Sequence, residues 1–198
     1  MRIAVISESI HDSNAIINLL NKRKYNAVFN SILKGLLPGS LLDSFNRVSD
    51  LLRKELSSDK ELNAESYSFI LYIRDLDASH RETNKVAQKN KWFEKLNRVN
   101  GNNGIFLLNI YELEALILAD IDTFNSEYGT DINYAGNPMD CSDPKEFLQD
   151  ETSRAKKRYE ENHCPGLFKK LDIEKLISRE GFYFKKFIKE LEEKIANN

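Results

Sequence analysis

Two aspartates, Asp75 and Asp77, close the apolar run "YSFILYIRDLDAS" at residues 67–79, and acids follow two other apolar runs. Glu8 comes after RIAVI, and Glu112 with Glu114 after IFLLNI. On an extended strand the side chains at i and i+2 share a face about 6.5–7 Å apart, so Asp75 and Asp77 are expected on one side. Like charges that close raise each other's pKa unless a cation separates them. A hard divalent ion with oxygen ligands would serve, and so would a lysine or an arginine. Carboxylates gathered around Mg2+ or Mn2+ suit phosphodiester hydrolysis, in which two ions about 3.5–4 Å apart activate a water and neutralise the phosphate.

Each acid also has a plainer reading. Glu8 fits as a charge at a helix N-terminus, Glu112 and Glu114 as acids opening a helix, and Asp-x-Asp as a turn or cap. Their combined weight depends on the elements that carry them. Arg2–Ile6 is β-branched and bounded by Ser7, Glu8 and Ser9, as a buried strand ending in a loop would be. Ser13 or Asn14 is expected to cap a helix with Ile16, Ile17, Leu19 and Leu20, and a short strand is expected within residues 26–33. Leu41, Leu42, Phe45, Val48, Leu51, Leu52 and Leu56 fall near a 3.6-residue period, predicting a helix that begins after Pro38-Gly39.

Residues 68–74 are apolar on both faces, as a central parallel strand must be. A polar helix over 82–98 follows, with Trp92, Phe93 and Leu96 as its buried stripe; NGNNG at 100–104 then turns the chain into a fourth strand. The helix of YELEALILADIDTF, with Leu113, Leu116, Ile117 and Phe124 at helical spacing, precedes a long loop over about 128–143. The remainder, from DPKEFLQ through a charged run to the C-terminus, is expected to be helical and amphipathic. The order βαβαβαβ favours an α/β fold, a mostly parallel sheet flanked by helices. Ligands bind such sheets in the crevice at the carboxyl ends of the strands, where Glu8, Asp75, Asp77 and Glu112 would converge.

The chain has 198 residues, 41% hydrophobic and 30% charged, which suits one folded domain. Its net charge of −2 gives no global pull toward nucleic acid, so any such contact must rest on a local basic patch or on metal ions. Two cysteines without a C-x-x-C pair argue against a zinc module or a disulfide framework. Neither a signal-peptide pattern nor a run of about 20 apolar residues is present, so a cytoplasmic protein with no membrane contact is expected.

Glutamate after the first strand and Asp-x-Asp after the third resemble the Toprim domain of topoisomerases, primases and overcoming-lysogenization-defect (OLD) type nucleases. The resemblance covers residues 1–125, leaving 126–198 as a loop plus a helical C-terminal extension packed on the same domain. Within that superfamily, "YELEALILAD" at 111–120, "DPKEFL" at 143–148 and "GFYFKKFIKEL" at 181–191 resemble a small stand-alone Toprim-like family. Members of that family are often encoded beside an ABC- or SMC-like ATPase in bacterial anti-phage defence loci. The glycine usual beside the first-strand glutamate is absent from "ISESIHDSN".

The resemblance implies a Mg2+- or Mn2+-dependent nuclease-like effector acting on DNA or RNA, controlled by a partner ATPase, with homo-oligomerisation left open. It assigns Glu8 as general acid or base or as a metal ligand, Asp75 and Asp77 as metal ligands and catalytic residues, and Glu112 as a ligand completing a second metal site. Glu114, two residues along a helix from Glu112, is expected to point away. Arg74, Arg81, Lys156 and Lys157 are candidate phosphate contacts, the last two within a basic run with Lys145, Arg154 and Arg158; a solvated helix face is its plain alternative.

His80 is a candidate proton shuttle with a surface or capping group as its plain alternative, and His11, near Glu8, reads the same way; His163 beside Cys164 lacks the two further ligands that zinc spacing needs. Trp92, Phe182, Tyr183 and Phe184 read as packing groups rather than as base-stacking platforms. Two other classes compete with the nuclease. One is a non-catalytic, metal-sensing interaction module that docks on and regulates an ATPase through the C-terminal helices. The other is a receiver-like phosphoacceptor domain, but this would need an acid pair directly after the first strand, where Glu8 stands alone.

Overall fold

The structure, a computed structural model, describes residues 1–33, 45–61, 66–180 and 182–198. The expected helix start after Pro38-Gly39, with Leu41 and Leu42, lies outside the described residues. Four parallel strands, β1 (Arg2–Ile6), β2 (Val28–Ser31), β3 (Phe69–Asp75) and β4 (Gly104–Asn109), form one sheet in the order β2-β1-β3-β4. Among the described residues nine α-helices flank it: α1 (Ile10–Leu20), α2 (Phe45–Glu61), α3 (Thr83–Val99), α4 (Ala115–Ala119), α5 (Ile121–Tyr128), α6 (Pro144–Glu151), α7 (Cys164–Phe168), α8 (Ile173–Glu180) and α9 (Tyr183–Ala196). The fold is α/β with a parallel sheet, as the alternation of strands and helices predicts.

Strand periodicity divides the core into two layers. Ile3, Val5, Phe69, Leu71 and Ile73 point to one face and pack with α1 and the helices from α4 to α9. Ala4, Ile6, Ile70 and Tyr72 point to the other and pack with Val48 and Leu52 of α2 and Trp92 and Leu96 of α3. The first layer runs without a break into the C-terminal helices through Leu167, Phe168, Leu176, Phe184 and Leu191.

The sheet starts β4 at Gly104 because nothing larger fits. A Cβ there would stand 2.6 Å from a Tyr72 ring carbon and 2.7 Å from Asn97 Oδ1. Tyr72 in turn meets Trp92 edge-on, with centroids 6.2 Å apart, which seats α3 on the sheet. Among the described residues no helix is long and apolar enough to cross a membrane.

Three sequence expectations need correction. α1 is capped by Ser9, not by Ser13 or Asn14: the Ser9 hydroxyl accepts from His11 N while the Asp12 carboxylate accepts from Ser9 N, a capping box. YELEALILADIDTF is not one helix: residues 113–114 form a turn and the helix breaks at Asp120, so neither Glu112 nor Glu114 lies within a helix. The basic run at 154–158 is turn and bend rather than helix.

Candidate active site at the carboxyl edge of the sheet

The chain leaves β1 in one direction to β2 and later returns on the opposite side to β3, so the switch point of the sheet lies between β1 and β3. Open α/β sheets bind ligands at such a point, at the carboxyl ends of the strands. Glu8 follows β1 and Asp75 ends β3. Glu8 sits between two serines that fix its loop: the Ser7 and Ser13 hydroxyls bond each other, and Ser9 holds the helix cap. Arg74 Nε donates to Glu8 Oε1 at 2.9 Å, and the guanidinium lies 4.7 Å from the centroid of the Trp92 ring. Arg74, the candidate phosphate contact, is 3% exposed and clamps Glu8. Glu8 Oε2 accepts no hydrogen bond from the described residues.

The alternation that sends Arg74 toward Trp92 sends Asp75 the other way, to the layer of α1 and α4. Asp75 stands opposite Asn109 in the β3–β4 register, and Asn109 Nδ2 donates to Asp75 Oδ1 at 2.9 Å. Burial pushes the Asp75 carboxyl well above the usual range. The negative charges of Asp12, Glu8 and Glu114 add to the effect, and the Asn109 amide opposes it.

Two further acids belong to this group: Asp12, which sequence reasoning did not single out, and Glu114, which it expected to point away from Glu112. Asp12 is raised to about 7 by burial and by Glu114, Glu161 and Glu8, against the Ser9 N–H bond. Glu114, 6% exposed, is raised to about 7 by burial and by Glu112, while Lys145 and the Tyr159 hydroxyl at 3.2 Å draw it down. The signal for Asp12 was present in the sequence, since Ser9 and Asp12 have capping-box spacing.

Asp77 does not share this environment. The strand ends at Asp75, and Asp77 adopts φ +54°, so the two-residue alternation no longer sets its direction. Its Oδ2 accepts from Lys89 Nζ of α3 at 3.3 Å, and the same ammonium lies 3.9 Å from Glu8 Oε1. The cation between the acids is therefore Lys89, a residue not singled out from the sequence. Its signal was the two-turn distance from the start of a helix that immediately follows the Asp pair. Backbone bonds brace this rim: Asp77 N donates to Tyr111 O, and Tyr111 N to Ala78 O. Tyr111 is held at φ +57°, a conformation that costs a bulky residue about 1–3 kcal/mol and that concentrates at functional sites.

Glu112 stands apart from Asp75 and Glu8. It accepts from Lys145 Nζ at 3.0 Å and, with Asp77, Glu82, Asp143 and Glu146, lines a second depression of about 350 Å3. Arg81 is exposed at the rim, 3.7 Å from Asp140. His80 buries its Nδ1 with no partner among the described residues. Lys157 pairs with Glu127 at 3.7 Å and lies over Tyr128, and Lys156 is exposed, so of the downstream basic residues Lys145 is the one that touches a candidate acid. His163 bonds the Tyr128 hydroxyl through Nδ1, and Cys164 is buried and free. Trp92 and Phe184 are buried as expected, whereas Phe182 is 60% exposed.

Asp75, Asp12, Glu114 and Glu8 are all oxygen donors under mutual repulsion, which suits a hard divalent ion. In the arrangement described, however, no group of three or more His, Cys, Asp or Glu side chains among the described residues is disposed to hold a metal ion. Among these acids Arg74 and Lys89 pair with Glu8.

A family model described as a domain of unknown function, DUF4276, matches residues 11–192. The chain belongs to this family. The DUF4276 span contains Asp12, Asp75, Asp77, Lys89, Glu112 and Glu114, while Glu8 lies just before it. No curated protein and no solved structure matches the chain.

Proposed function

We propose that this DUF4276 chain is a Toprim-like, Mg2+- or Mn2+-dependent nuclease that hydrolyses phosphodiester bonds of DNA or RNA. The observation that carries the reading is the placement of Glu8 and Asp75 at the carboxyl ends of the neighbouring strands β1 and β3, with Arg74, the residue before Asp75, clamping Glu8. Acids brought from residues 8, 12, 75 and 114 within repulsion of one another gain nothing in stability from it, which favours a functional account.

Glu8 and Asp75 would hold the metal, with Asp77 within reach of the same edge through Lys89. When bound, Mg2+ or Mn2+ supplies charge neutralisation on the phosphate and a more acidic water. Glu8, with Oε1 fixed by Arg74, offers Oε2 to take the proton of an attacking water. The Lys89 ammonium is placed to donate to a phosphate oxygen once it leaves Asp77.

A cytoplasmic setting, control by an ABC- or SMC-like ATPase, a role in anti-phage defence and self-association belong to the same proposal. The test is incubation of the purified chain with single- and double-stranded DNA and with RNA, in Mg2+ or Mn2+, with and without the ATPase. Cleavage lost in Glu8→Gln and Asp75→Asn supports the reading. Absence of cleavage under every condition overturns it.

One observation favours the second reading, a metal-sensing module that docks on an ATPase. Phe182 is exposed beside a groove of about 290 Å3 lined by Val86, Phe93, Phe106, Leu108 and Tyr183. Asp77→Asn separates the two: on the module reading it changes metal response and stability without any cleavage to lose.

A further inference from the structure

The helix α3 carries a feature that the acids do not explain. Its sequence, TNKVAQKNKWFEKLNRV, has Lys85, Lys89, Lys91, Lys95 and Arg98 against one acid, Glu94, in a chain whose net charge is −2. Gln88, Lys91, Trp92 and Lys95 recur at spacings of three and four and therefore share one face. With Lys89, Arg74 and Phe45 of α2 they line a cleft of about 310 Å3, and no acid is among its described lining residues.

The cations in this cleft divide by partner. Arg74 is held by Glu8, and Lys89 is shared between Asp77 and Glu8. Lys91 and Lys95 make no ion pair with the described residues, and Lys95 Nζ lies 5.9 Å from the centroid of the Phe45 ring. The cleft thus presents two lysines uncompensated by the described residues, beside an aromatic wall, and it opens where Arg74 and Lys89 reach the acids. Lys89 and Lys95 are six residues apart, about 9 Å along the helix axis.

We propose that this cleft is the docking track for single-stranded nucleic acid, with Lys91 and Lys95 binding backbone phosphates and leading the strand to the edge where Glu8 and Asp75 meet. A positive groove with aromatic walls binds single strands without base readout. The inference rests on the nuclease reading for its choice of polymer, but its test does not. Lys91 and Lys95 are positioning residues: they touch the strand away from the reacting phosphate.

The experiment is fluorescence anisotropy of labelled oligo(dT) and oligo(U) with the whole chain in EDTA, over about 50–200 mM salt. Lys91→Glu/Lys95→Glu is expected to weaken binding about tenfold or more and to flatten the salt dependence by about 0.7 in log–log slope for each phosphate no longer held. Lys185→Glu/Lys189→Glu, on exposed positions of α9, is expected to leave binding unchanged, with circular dichroism showing that both variants fold. Wild-type chain that binds neither oligonucleotide, or binding that the cleft pair does not alter, overturns the proposal, as does tighter binding of duplex or mononucleotide. Because EDTA stops metal-dependent cleavage, binding is read apart from it: intact binding here with no cleavage in the Mg2+ or Mn2+ assay counts against the nuclease reading alone, and cleavage there with cleft-independent binding here counts against this inference alone.

Discussion

Arg74 Nε donates to Glu8 Oε1 at 2.9 Å, joining the end of β3 to the loop after the neighbouring strand β1. The pair spans 66 residues of sequence and fixes an acid whose second oxygen stays open among the described residues. It also separates folding from chemistry. Glu8→Gln keeps an oxygen for Arg74 and is expected to cost about 1 kcal/mol or less, whereas Glu8→Ala removes the hydrogen bond between the carboxylate and the buried guanidinium and costs about 1.5–3 kcal/mol. Both should lose metal-dependent cleavage. Urea unfolding of the two variants checks the order; equal destabilisation would show that the pair does not hold the site.

The acids that Glu8 joins make stability pH-dependent. Asp12 and Glu114 are raised to about 7 from 3.8 and 4.5, in each case chiefly by burial, and Asp75 is raised as well. Between the unfolded and folded values the folded chain holds protons that the unfolded chain has released. The stability these groups contribute is therefore fully present below about pH 4 and is lost as pH rises through about 7. Other carboxylates oppose this at the acid end, so the readable window is about pH 5.5–8. Melting temperature should fall by several degrees across it, and Asp12→Asn should flatten the fall. A melting temperature that climbs from pH 5.5 to 8 would contradict the burial of these acids.

The sheet was legible because β1, β3 and β4 are apolar on both faces, a pattern that only a covered parallel sheet explains. The site was legible in part. Glu8 and Asp75 lie at the edge that strand order dictates, but the pairing of Asp75 with Asp77 assumed an extended backbone that ends one residue too early. Lys89 and Asp12 reach the acids from helices that local pattern alone does not orient. The break in YELEALILADIDTF has a similar origin: Asp120 accepts from Asp172 N at 2.8 Å and Lys175 Nζ at 2.9 Å, partners more than fifty residues away. Helical periodicity continues through Asp120, and tertiary bonds override it.

Gly104 offers a test of the layer beneath the cleft. Because a Cβ would meet Tyr72 at 2.6 Å and Asn97 at 2.7 Å, Gly104→Ala must push Tyr72 against Trp92 and Phe93. Overpacking of this kind costs about 1–3 kcal/mol. Urea unfolding should show a lower midpoint with an unchanged slope. A variant as stable as the parent would mean that the strand gives way freely at this point.

Lys89 makes the metal question quantitative. Its ammonium lies 3.3 Å from Asp77 and 3.9 Å from Glu8, so a divalent ion and Lys89 compete for the same oxygens. Replacing it with the uncharged Lys89→Met removes the competitor and is expected to tighten Mn2+ binding several-fold by calorimetry, while slowing any cleavage that needs the ammonium at the phosphate. Protons compete as well, because the carboxylates must be ionised to bind an ion. Mn2+ should therefore raise the melting temperature more at pH 8 than at pH 6, and Asp75→Asn should abolish the difference. If Mn2+ leaves the melting temperature unmoved at both pH values and in Lys89→Met, the acids of this edge bind no ion, and Arg74 and Lys89 are their permanent partners.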